Sequence, residues 1–112
     1  IVGVVQDPQF GPLVMFGSGG VEVEGLKDVA FGLAPLTMAE AEQMLEKTWA
    51  GRKLKGFRNL APADRQAVLQ VLLRLAQLAL DYPHVLEIEI NPLRVLSTQQ
   101  GAFALDARAR LR

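Results

Sequence analysis

Glu87, Glu89 and Asn91 alternate with Leu86, Ile88 and Ile90, so a strand here carries two carboxylates and an amide on one face and apolar groups on the other. A second run repeats the pattern, with Asp106 and Arg108 alternating against Phe103, Leu105 and Ala107. Carboxylate and amide oxygens are the donors a hard divalent cation such as magnesium favours. Magnesium retains waters and commonly completes its shell with phosphate, so the partner this chemistry implies is a nucleotide. A hairpin folded symmetrically about the Thr98–Gln99 bond sets Asn91 opposite Asp106 and gathers the oxygens on one face. A register slip of one residue would separate them, and Pro92 interrupts the ladder on its N–H side. An antiparallel hairpin with one solvated face and no ligand gives the same alternation.

The elements that must hold these residues are also legible. Ile1-Val2-Gly3-Val4-Val5-Gln6 is rich in β-branched residues and ends at Asp7-Pro8, after which Leu13-Val14-Met15-Phe16 can return as a second strand. Gly17-Ser18-Gly19-Gly20 follows, then Val21-Glu22-Val23-Glu24 alternates strictly, and Val29-Ala30-Phe31 adds another strand before Leu33-Ala34-Pro35. Thr37 and Glu40 form a capping box, with Met38, Ala41, Leu45 and Thr48-Trp49 at helical spacing, which predicts one helix ending at Gly51. From Pro62, suited to a first helical turn, the composition predicts a second helix to Asp81. Its polar stripe of Gln66, Gln70, Arg74, Gln77 and Asp81 is narrow, so this helix is expected to be buried on most sides and to present apolar surface for self-association or another domain. The fold class expected is α+β, a largely antiparallel sheet with two main helices packed on it.

At 112 residues, half of them hydrophobic, the chain has one domain's worth of core. Twelve basic residues balance twelve acidic ones, and the only block is the mild basic run Arg52-Lys53-Lys55-Arg58. Nucleic acid is therefore disfavoured as a partner. Absence of cysteine removes disulfides and thiolate metal sites and fits a cytoplasmic protein. No apolar run reaches membrane-spanning length, so no membrane partner is expected. The chain opens on Ile1-Val2, within a strand-like run and without an initiator Met, and reads as a single subdomain, residues 1–112, of something longer.

Individual motifs are weaker. Gly17-Ser18-Gly19-Gly20 could bring backbone N–H groups to a phosphate, but it matches no dinucleotide or Walker pattern and reads equally as a turn. The basic run could meet phosphates or lie solvated. His84 reads as a surface histidine and Trp49 as a core anchor.

Taken in order, Phe10-Gly11-Pro12, Gly17-Ser18-Gly19-Gly20-Val21, Glu24, Leu26-Lys27-Asp28-Val29-Ala30-Phe31, Ala34-Pro35-Leu36, Gly56-Phe57-Arg58, Glu89-Ile90-Asn91-Pro92-Leu93 and Leu105-Asp106-Ala107-Arg108 resemble the C-terminal part of the ATP-grasp domain in ADP-forming acetyl-CoA (acyl-CoA) synthetases. That family is similar in turn to the succinyl-CoA synthetase β subunit. The resemblance implies the second subdomain of an ATP-grasp fold, within an acid–thiol ligase that interconverts acyl-CoA, ADP and phosphate with acid, CoA and ATP through acyl phosphate and a phosphohistidine. It implies Asn91 and Asp106 as Mg2+ ligands, with Glu89 on the same face as a further or water-mediated one. Gly19, Gly20, Glu24 and Arg108 are implied to line the ATP/ADP cleft. The N-terminal half of the grasp and the CoA-binding portion are not in these residues, and no histidine matches the phosphorylated one. The chain alone is therefore expected to fold but to be inactive. Two departures stand out: Gly32 replaces an arginine of the family's Phe-Arg-Leu-Ala-Pro, and Asn59 replaces the glycine after Arg58. They keep open a non-catalytic module that senses nucleotide or acyl-CoA beside a protein acyltransferase, and a structural interface domain is a third reading.

Overall fold

The computed structural model describes residues 1–18 and 28–112. Val2–Asp7 (β1) and Gly11–Gly17 (β2) form an antiparallel hairpin with Val2 opposite Phe16. Asp7 Oδ1 closes it by accepting from the N–H of Gln9 at 2.8 Å and of Phe10 at 2.9 Å, the local turn chemistry that Asp favours. Val29–Leu33 (β3) pairs with β2 on its outer side. The second half of the chain supplies Val85–Ile90 (β4), Leu93–Val95 (β5), Ala102–Ala104 (β6) and Ala107–Leu111 (β7). β4 pairs with β1 and β7 pairs with β4, giving an antiparallel sheet in the order β3-β2-β1-β4-β7, while β5 and β6 form a separate ribbon. The architecture is α+β, as the sequence pattern predicts. Val21-Glu22-Val23-Glu24 lies outside the described residues.

The helices depart from expectation in two places. Met38–Glu46 (α1) has the expected capping box: Thr37 Oγ1 accepts from the Glu40 N–H at 3.1 Å and Glu40 Oε1 accepts from the Thr37 N–H at 3.0 Å. It does not continue to Gly51. Thr48 is extended, fully buried, and begins a separate short helix, Trp49–Arg52 (α2), by accepting from the Gly51 N–H at 3.0 Å while donating to the Leu45 carbonyl at 3.1 Å. A threonine hydroxyl that serves both ends of a break favours a cap over a helix interior. Trp49 consequently starts a surface turn and is 41% exposed, edge-on to Phe57 with centroids 5.4 Å apart, rather than anchoring the core. The long helix runs Arg65–Asp81 (α3), capped by Asp64 and not begun at Pro62.

α3 and α1 cover one face of the sheet. Val2, Val4, Val14, Phe16 and Ala30 meet Val68, Leu69, Leu72 and Ala76 of α3 and Ala41, Met44 and Leu45 of α1 in a single core. The Gln6 side chain reinforces it, donating to the Ala79 carbonyl at 2.9 Å. α3 is buried along this one face only; Val71, Leu73 and Leu78 are partly covered and Leu80 is exposed. Its apolar excess is absorbed by its flanks, because α1 packs beside it. Phe31 and Leu33, 55% and 46% exposed, instead extend an apolar surface over the face that none of the described helices covers.

Candidate metal corner and open sheet face

Residues 85–111 form one long hairpin that breaks in the middle. Glu89 pairs with Arg108 and Ile90 with Ala107 in the main sheet, and Leu93 with Ala104 and Arg94 with Phe103 in the ribbon. All these pairs are equidistant from the Thr98–Gln99 bond, where Gln99 and Gly101 take φ +69° and +84° and the Gln100 N–H donates to the Ser97 carbonyl at 2.9 Å. Between the two ladders lie Asn91-Pro92 on one strand and Leu105-Asp106 on the other. Pro92 has no N–H to continue a ladder. The chain therefore turns a corner there, held by the Asn91 N–H on the Asp106 carbonyl at 3.0 Å and the Leu105 N–H on the Pro92 carbonyl at 3.1 Å. Asn91 lies opposite Asp106, in the register the hairpin pattern predicts, and both are exposed.

Strand alternation leaves Gly3 and Val5, Leu13 and Met15, Phe31 and Leu33, Glu87 and Glu89, and Arg108 and Arg110 on the face away from the helices. It is apolar toward β3 and charged toward β7. Glu87, Glu89, Arg108 and Arg110 line a pocket of about 250 Å³ on the charged half, where Arg110 pairs with Glu87 at 3.4 Å. Asn91 lines a second recess, of about 200 Å³, with Gly17, Ser18 and Lys53. Asp106 lines neither. The structure thus brings Glu89 and Arg108 together, and Asn91 to the start of the glycine run. Gly19, Gly20 and Glu24 lie outside the described residues.

Among the described residues no three His, Cys, Asp or Glu side chains cluster closely enough to hold a metal by themselves. The candidate donors are one amide and two carboxylates, Asn91, Asp106 and Glu89, but they do not share one recess as the alternation predicts: Glu89 lies on the open sheet face, Asn91 lines the recess with Phe16, Ala50 and Lys53, and Asp106 lines neither, because the chain turns at Pro92. That composition fits an ion drawing the rest of its ligands from phosphate and water, as magnesium does at nucleotide sites, and does not fit a closed structural metal site.

Most of the basic run is engaged elsewhere. Lys55 pairs with Glu46, Arg52 donates to the Glu46 carbonyl at 3.0 Å, and Arg58 lies over the Phe57 ring at 5.4 Å. Only Lys53 of the four lines the recess beside Asn91. His84 is exposed, edge-on to Tyr82. Position 32 faces α1: a Cβ on Gly32 would come within 2.8 Å of Leu36 Cδ1 and 2.9 Å of Met44 Sδ. The missing arginine therefore leaves the open face unchanged. Asn59 sits in the tight turn between Phe57 and Leu60, where Arg58 and not Asn59 takes the positive φ.

Sequence reasoning gave Asp28 no role, yet its carboxylate accepts from the Trp49 N–H at 2.8 Å, the Ala50 N–H at 2.9 Å and the Ser18 hydroxyl. Partial burial opposes its ionisation, but the bonds from Ser18, Ala50 and Trp49, with Arg52 nearby, outweigh this and hold its pKa below the ordinary value. These contacts join residues 10 to 22 apart in sequence, beyond any periodicity.

A family model described as an ATP-grasp domain matches residues 1–111. Acetate–CoA ligase [ADP-forming] I of Archaeoglobus fulgidus is 51% identical over 108 residues, covering 96% of this chain and 16% of that protein. The β subunit of acetate–CoA ligase [ADP-forming] I of Pyrococcus furiosus is 44% identical over 108 residues, covering 96% of this chain and 46% of that one. Among solved structures, dinucleotide forming acetyl-coenzyme A synthetase 1 of Ca. Korarchaeum cryptofilum, in complex with coenzyme A and Mg-AMPPCP, superposes with a TM-score of 0.89 at 40% identity, over 99% of this chain and 51% of that chain. The chain spans half the length or less of these curated relatives.

Proposed function

Because the chain belongs to the ATP-grasp domain family, we propose that it forms the metal- and nucleotide-phosphate-binding half of an ADP-forming acyl-CoA synthetase, converting acyl-CoA, ADP and phosphate to free acid, CoA and ATP in the cytoplasm. The observation that carries the site assignment is the opposition of Asn91 and Asp106 at the hairpin corner. Asn91 and Asp106 would hold Mg2+, with Glu89 contributing directly or through water. The cation would neutralise phosphate charge and keep the transferring group in line. Arg108 offers a donor fork to phosphate oxygens on the same face as Glu89. Phe31, Leu33 and Met15 offer an apolar floor suited to a base. Gly19, Gly20 and Glu24 would complete the cleft, whose other wall, with the CoA-binding part, belongs to regions of the relatives that this chain does not match. A magnesium-bearing nucleotide analogue and coenzyme A in the Korarchaeum structure support this reading.

The test is a coupled assay of ATP formation from acyl-CoA, ADP and phosphate with the full-length parent protein. Activity that needs Mg2+ and falls in Asp106→Asn at unchanged melting temperature supports the assignment, and the 112 residues alone form no product. Indifference of the parent to Asp106→Asn would refute the metal assignment; product formation by the 112 residues alone would refute the half-site reading.

A further inference from the structure

Asp64 is a carboxylate only 8% exposed that the proposed site does not touch. One oxygen caps α3, accepting from the Ala67 N–H at 3.1 Å; the other accepts from the Gly101 N–H at 2.7 Å, at the tip of the β5–β6 ribbon. The Asp64 N–H in turn donates to the Leu96 carbonyl at 2.8 Å, and Ala63 bridges to Ser97. The buried Asp64 side chain and these backbone contacts together fasten the far end of the ribbon to the start of the core helix.

The ribbon depends on that fastening. It is two strands of three residues each, too little to hold its own geometry in water. Leu93 and Val95 pack against the core, but Phe103, Ala104 and Leu105 on the other strand are exposed. Where the ribbon meets the main sheet the ladder is broken on both strands, at Asn91-Pro92 and Leu105-Asp106. Two backbone hydrogen bonds, Asn91 to Asp106 and Leu105 to Pro92, join the ribbon to the sheet across this break, so the ribbon's angle depends also on how its other end is tied.

We propose that Asp64 is the positioning residue of the metal corner: by tying Gly101 to the N-terminus of α3 it sets the angle of the ribbon, and with it the relative placement of Asn91 and Asp106. The inference rests on the metal reading above, and it makes the corner sensitive to a residue that never meets the ion. Outer groups that orient metal ligands commonly change affinity by about 10- to 100-fold when removed.

Asp64→Ser separates the two roles of the carboxylate. Serine is as good a helix cap as aspartate, but its short hydroxyl offers one oxygen in place of two and leaves Gly101 untied. Should that variant fail to fold, Asp64→Asn serves instead, since asparagine also caps well and has a single acceptor oxygen. The experiment titrates the full-length parent protein, carrying one equivalent of ADP, with Mn2+, reading bound ion by electron paramagnetic resonance. Asp106→Asn tests the metal reading, and Thr37→Ala, which removes the cap of α1, controls for general loss of stability. The expected result is about tenfold weaker Mn2+ binding in Asp64→Ser, near-complete loss in Asp106→Asn and no change in Thr37→Ala. Wild-type affinity in Asp64→Ser alongside loss in Asp106→Asn would overturn this inference and leave the metal reading standing. Equal weakening in Asp64→Ser and Thr37→Ala would also overturn it. Wild-type affinity in Asp106→Asn would overturn both.

Discussion

The backbone of Gly51 lies against that of Leu45 so closely that a Cβ at position 51 would stand 2.1 Å from the Leu45 carbonyl oxygen and 2.4 Å from its Cα. Both atoms are main chain and cannot swing aside. Gly51→Ala should therefore force α2 off the end of α1 and cost about 3 kcal/mol or more. Denaturant melts would check this; unchanged or raised stability, as the ordinary helix-interior preference of about 1 kcal/mol for Ala over Gly would give, would contradict the packing.

Asp28 makes stability depend on acidity. Its folded pKa is below the ordinary 3.8, so the unfolded chain binds the proton more readily. The stabilisation is full above the ordinary carboxylate range and is lost as pH falls through the folded value. Asp28→Asn should be less stable near neutral pH by about 1 kcal/mol, and that deficit should shrink toward the acid end. Thermal melts from about pH 7 down to about pH 3 would show it; a deficit independent of pH would contradict the role assigned to the carboxylate.

Asn91 and Asp106 should rank unequally in the parent enzyme. Asp106→Asn removes a charge at an exposed corner and should leave stability within about 0.5 kcal/mol while sharply reducing the rate. Asn91→Ala should act less strongly, because water can replace an amide oxygen. Steady-state kinetics at several Mg2+ concentrations, beside melting curves, would test the order; a larger effect from Asn91→Ala would reverse it.

Phe31 and Leu33 on the open sheet face are more exposed than Leu80 on α3. Phe31→Ser should lower hydrophobic-dye binding and self-association of the isolated chain more than Leu80→Ser does. Dye titration and sedimentation would decide, and equal effects would contradict the difference.

What could be read from the chain without its structure was local. The capping box at Thr37 and Glu40, the turn at Asp7 and the alternation in 86–91 all act over a few residues, where residue type largely dictates conformation. The Asn91–Asp106 register was legible for a related reason: a short turn transmits pairing along both arms of a hairpin. The break at Thr48 was obscured because Met38, Ala41 and Leu45 keep helical spacing up to it, and periodicity does not register a buried hydroxyl that bonds both ways. The same blindness put Trp49 in the core. The long-range bonds of Asp28 and Asp64 gave no signal, since an acid that binds backbone N–H groups 22 or 37 residues away resembles any surface or capping acid until the chain is folded. The pairing of β1 with β4 was equally hidden, because neither strand's side-chain pattern names its neighbour.

That pairing governs the order in which the molecule can be completed. β1 is the middle strand of the sheet, yet Val2 has Phe16 on one side and Ile90 on the other. While the chain emerges from a ribosome, the first hairpin can close early, but one edge of β1 stays bare until residues 85–90 arrive. An unfilled strand edge is the kind of surface on which nascent chains mispair. The last quarter of these 112 residues therefore carries the step that commits their first quarter, and a ribosome stalled before Val85 would hold a sheet open at its centre.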